Sequence, residues 1–134
     1  MSEPVRSVDR LVGVYHADGG VRGELAYLAG RARGTAHCTL IDITHGFTLS
    51  GKRSFKTMAA QLPVPLRLVH RNEQPPALAR LTDGRTPCII AEVGSEQMIV
   101  LGPADLRACD GDVGRFEQVL SAGLADVSLR LPPS

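Results

Sequence analysis

The groups in this chain best suited to chemistry are two imidazoles, two carboxylates and one thiol: His16, His45, Asp18, Glu24 and Cys88. If folding gathers them, three chemistries follow. A divalent ion such as zinc takes imidazole, thiolate and carboxylate ligands, so His16 and His45 with Cys88 or Glu24 form an acceptable donor set. A cysteine beside a histidine can serve as a nucleophile or redox thiol, which makes Cys88 the catalytic candidate. The amides of Gly19–Val21 could hold an anion where a helix begins, although adjacent Asp18 opposes that charge. Asp18, which should open from the same strand-end edge as the imidazoles, and Glu24, flanking the helix's apolar stripe, are candidate ligand-binding residues.

A denser cluster, His37, Cys38, Asp42 and His45, lies within nine residues. On an extended strand, His37 and His45 would share a face but stand about 25 Å apart at roughly 3.3 Å per residue. Two such groups cannot grip one ion at a ligand distance of about 2 Å. The candidate site is therefore one that topology must assemble from separate segments.

Those segments begin with "RLVGVY" (10–15), a short apolar run that reads as a buried strand. After Gly19-Gly20 the apolar positions Val21, Leu25, Leu28, Ala29 and Ala32 form one stripe of a helix that stops at Gly34. "HCTLIDITHG" (37–46) is rich in β-branched residues and reads as a second strand. Together they predict a β-α-β unit with parallel strands and a right-handed crossover. Parallel strands bring their carboxyl ends to one edge, so His16 and His45 should meet there, the usual location of ligand sites in open α/β sheets.

Phe55, Met58, Ala59 and Leu62 predict a helix capped by Ser50 and ended by Pro63. "VPLRLVH" (64–70) reads as a short edge strand, with His70 in the solvated loop beyond it. A helical turn or two begins near Pro75-Pro76. "CIIAEV" and "MIVL" predict a hairpin joined by "GSEQ". Val113, Phe116, Val119, Leu120 and Leu124 share one face of a last helix, and "RLPPS" is a loose tail.

The 134 residues are 43% hydrophobic and 22% charged, with a net charge of +1. This composition fits one globular domain over 1–134. A near-neutral chain with 4% aromatic residues has neither the field nor the stacking surface for nucleic acid. No apolar run approaches the roughly 20 residues of a membrane span, and the polar N-terminus lacks a secretory signal. Three cysteines, Cys38, Cys88 and Cys109, cannot all pair within the chain, which suits reduced thiols and a cytoplasmic location. Cys38 and Cys109 read as structural. Asp42, inside an apolar strand, needs hydrogen-bond partners and would tie down a loop or helix start.

The order β-α-β, an irregular α/β middle, then β-β-α resembles the thioredoxin-like fold from about Arg10 to Leu124. The residues that carry the likeness are "LVGVYHADGGVRGELAYL", a strand bending into a helix, and "RTPCIIAEVGSEQMIVLG", similar to the proline-plus-hairpin of that superfamily. The resemblance implies a three-layer α/β sandwich and a cis Pro87. The chain departs from the pattern at the bend, where "HADGGVRGE" has no Cys-x-x-Cys, which removes the usual basis for disulfide exchange there. "HCTLIDITHG" is also similar to the Cys-x-x-Cys-Asp-x-Thr-His pattern of an uncharacterised bacterial family, with Ile41 in place of its second cysteine.

The leading expectation is a thioredoxin-like protein that binds a small ligand, metal or peptide thiol at the strand-end edge. Two alternatives stay open: a thiol-dependent enzyme using Cys88, and a protein-interaction or assembly module without catalysis.

Overall fold

A computed structural model describes residues 5–16, Leu40, Ile43 and 53–133. The described elements run β1 (Arg6–Ser7), β2 (Arg10–Val14), α1 (Arg53–Gln61), β3 (Leu66–Val69), a 3-10 turn (Arg71–Glu73), α2 (Pro76–Thr82), β4 (Cys88–Val93), β5 (Glu96–Leu101), α3 (Pro103–Ala108), α4 (Val113–Asp126) and β6 (Leu129–Arg130). The architecture is mixed α/β with two sheets. Among the described residues no helix is long and apolar enough to cross a membrane.

The main sheet has the order β3-β2-β4-β5. Apolar β2 sits inside it, parallel to β3 and antiparallel to β4. Alternation along β2 and β4 sends side chains to two cores. Leu11, Tyr15, Ile89 and Ala91 face a large one that includes Phe55 and Met58 of α1 and Phe116, Leu120 and Leu124 of α4. Val12, Val14, Cys88 and Ile90 face a smaller one closed by Leu78 and Leu81 of α2. Helices therefore cover both sides of the sheet.

The long hairpin has the first sequence-predicted strand, Cys88–Val93, but its second begins two residues earlier than Met98, which shortens the connection. Val93 pairs with Glu96, leaving a two-residue turn at Gly94-Ser95 instead of the four residues "GSEQ". Gly94 takes φ 59°, a conformation only glycine adopts without cost, and its amide donates to Asp9 Oδ2 at 2.6 Å. On β5 the pairing steps from Ile90↔Ile99 to Ile89↔Leu101, so Val100 is an extra, bulged residue. Against this bulge lies Gly123 of α4; a Cβ there would stand 2.6 Å from the Val100 carbonyl oxygen. The helix reaches the sheet this closely because it has no side chain at that point.

Three sequence expectations change. Leu40 and Ile43 are fully buried with helical backbone, so the strand expected over 37–46 is absent at those two positions. The extended spacing expected between His37 and His45 therefore fails at Leu40 and Ile43, while His37, Cys38, Asp42 and His45 themselves lie outside the described residues. The parallel neighbour of β2 is β3, the "VPLRLVH" segment, which makes the crossover from β2 longer than a 37–46 strand would need. Finally, the C-terminal tail is tied at its start: β6 pairs in parallel with β1, Arg6 opposite Leu129. Arg6 also reaches Glu96 on β5 at 3.1 Å.

Candidate functional site at the strand ends

Register alone defines the rim. Val14, the last residue of β2, pairs with Val69 at the end of β3 and with Cys88 at the start of β4. The next residues outward, Tyr15 and His16 beyond β2, His70 beyond β3 and Pro87 and Thr86 before β4, occupy the same edge. The Tyr15 amide continues the parallel ladder by donating to Val69 O at 3.0 Å.

His16 is exposed, and its Nδ1 shares a 2.8 Å hydrogen bond with Thr86 Oγ1. Counting two residues outward from the Val14↔Cys88 pair brings His16 opposite Thr86, so this bond follows directly from the antiparallel register. Thr86 precedes Pro87 through a cis peptide bond, the isomer the resemblance implies. The expected arrival of Pro87 at the edge that holds His16 therefore takes place.

Cys88 reaches the edge too, but as part of the core. It is 0% exposed among Val12, Val14, Val69, Leu78 and Ile90. Burial pushes its thiol up to about 11, because a thiolate there would lose its hydration. At neutral pH it is a protonated, apolar side chain, unlike the low-pKa, accessible cysteines that attack substrates. Cys109, at the end of α3, is equally buried and donates to Asp105 O at 3.4 Å. Its thiol is raised by burial first, then by the carboxylates of Asp105 and Asp112.

Asp18, Glu24 and His45 lie outside the described residues, as do Cys38 and Asp42. Among the described residues no three His, Cys, Asp or Glu side chains converge in a way that could hold a metal ion. His16 with Cys88 alone does not make a zinc site of the usual four ligands.

One rim residue escaped the sequence reading. His70 is a half-buried group packed on Tyr15, with ring centroids 5.2 Å apart, and not a solvated loop residue. Its Nδ1 lies 2.8 Å from Glu73 Oε1, which also accepts from the His70 amide at 2.9 Å. The Glu73 carboxyl is held below its ordinary 4.5, mainly by that amide and then by the imidazole. The available signal was His-x-x-Glu at the end of a strand, the spacing of a capping box. Beyond it, Gln74 anchors the turn: Nε2 donates to Arg71 O at 2.9 Å, and Oε1 accepts from buried Thr82 at 2.6 Å.

This chain matches no family model, and no curated protein or solved structure is detectably similar to it.

Proposed function

We propose that this chain is a thioredoxin-like domain that binds a small ligand, metal ion or peptide thiol at the rim centred on His16, without thiol catalysis. Support for the fold comes from β2 lying between a parallel and an antiparallel neighbour. The cis proline leading into β4 and the helices that follow the hairpin agree with it. The observation that carries the functional reading is the exposed His16 imidazole, fixed 2.8 Å from Thr86 where three strand ends meet. An oriented polar group at the carboxyl end of a buried strand is the common foundation of ligand sites in α/β sheets. Burial of Cys88 weighs against the thiol-enzyme alternative.

The test maps amide shifts in wild-type protein and in His16→Ala as zinc chloride, N-acetylcysteine amide and a short cysteine-containing peptide are added in turn. Shifts centred on Tyr15, His16 and Thr86 with at least one probe, lost in the variant, are expected. Shifts elsewhere, no shifts, or identical responses in both proteins overturn the reading.

A further inference from the structure

His70 and Glu73 form a pair that the rim reading does not use. We infer that Glu73 locks the neutral His70 imidazole in its Nδ1–H tautomer, making Nε2 the acceptor for an N–H, O–H or S–H donor on a small ligand. An ionised carboxylate only accepts, so the nitrogen 2.8 Å from Glu73 Oε1 must carry the hydrogen. The neutral ring then has its lone pair on Nε2, the atom turned away from Glu73. No such assignment is possible for His16, because the Thr86 hydroxyl both donates and accepts.

The ring is fixed on more than one side. Glu73 holds Nδ1, the Tyr15 ring lies 5.2 Å away at 46°, and the His70 backbone is itself capped by Glu73. The reciprocal bond, the Glu73 amide donating to His70 O at 3.0 Å, closes the turn. The His70 side chain keeps 26% of its surface open. An imidazole oriented by a carboxylate is the arrangement by which proteins fix a tautomer and a ring orientation. Here a ligand donor would hydrogen-bond to Nε2 or pass its proton there, with the resulting imidazolium facing the Glu73 carboxylate. The pair stands on Tyr15 and the turn after β3, so it survives or fails independently of the His16 site.

Two measurements on the whole chain decide it. Long-range 15N–1H correlation at pH 8 should show His70 Nδ1 protonated and Nε2 unprotonated, with at least about a tenfold preference. In Glu73→Gln, whose amide can donate or accept, that preference should collapse. Diethyl pyrocarbonate is the probe for an accessible lone pair: Nε2 attacks a carbonyl carbon, ethyl carbonate leaves, the acylated ring sheds its Nδ1 proton, and ethyl carbonate takes up a proton as it breaks down to ethanol and carbon dioxide. His70 should be carbethoxylated in the folded protein. A protonated Nε2 in the wild type, an unchanged tautomer ratio in Glu73→Gln, or a His70 that fails to react overturns the inference. If the variant does not fold, the wild-type spectrum and labelling still decide.

Discussion

The clearest division between a binding domain and a thiol enzyme lies in how fast Cys88 reacts. Unfolding returns its thiol from about 11 to its ordinary 9.0. At pH 8 that is roughly one thiolate in ten for the unfolded chain and about one in a thousand for the folded one. Alkylation proceeds through the thiolate, so the native protein should label at Cys88 about a hundredfold more slowly on ionisation grounds alone. The side chain is also 0% exposed, so steric exclusion slows the native reaction further. The assay is iodoacetamide labelling with and without urea at pH 8, each cysteine followed by peptide mass. Cys109, buried and raised in the same direction, serves as an internal comparison. A native Cys88 rate within a few-fold of the urea rate would refute the reasoning. So would a rate whose pH midpoint falls near 7, since that requires an activated, accessible thiolate.

Further outcomes follow from individual contacts. Gly123→Ala removes a poor helix former, worth up to about 1 kcal/mol. It also drives a methyl group to within 2.6 Å of the Val100 carbonyl and 2.7 Å of Leu101 Cδ2. Overpacking of about 1–3 kcal/mol should win, lowering the urea midpoint; an unchanged or raised midpoint contradicts the close approach. Asp112 accepts from the Arg115 amide at 2.8 Å as the N-cap of α4, so Asp112→Ala should cost about 1 kcal/mol in the same assay. Glu73 has a lowered pKa, so its contribution is present above the unfolded value near 4.5 and lost as pH falls through the lower folded value. Glu73→Gln should flatten the acid limb of a stability–pH curve below about pH 5, and an identical slope in both proteins would show that the bonds to His70 do not persist in solution.

Much of the fold was legible because the signals were periodic and long. α4 announces its buried face through Phe116, Leu120 and Leu124, and the hairpin through two apolar runs around a glycine. β1 and β6 were not legible, since two-residue strands carry no periodicity and exist only by pairing with each other. β-branched composition misled at Leu40 and Ile43, where burial against the sheet goes with helical backbone. Tertiary context explains the difference. Leu40 Cδ2 packs over β2, 3.4 Å from where a Cβ on Gly13 would stand. Such a fit is set by contact with a distant strand and is invisible to local propensity.

The site shows the same division. His16 and Thr86 meet because register, once β2 and β4 run antiparallel, brings together residues equally far from Val14↔Cys88. Cys88 reached the predicted edge by the same rule, yet its chemistry turns on which face it takes. Alternation sends it inward beside Val14, while Thr86, two residues earlier, lies beyond the strand and meets His16. His70 was passed over because one imidazole beside an arginine looks like surface. Its meaning comes from Tyr15, just past β2 in another part of the chain, and from Glu73 at capping distance. Sequence patterns supply the strands, strand register supplies the neighbours, and only the neighbours decide whether an ionisable group is solvent, core or site.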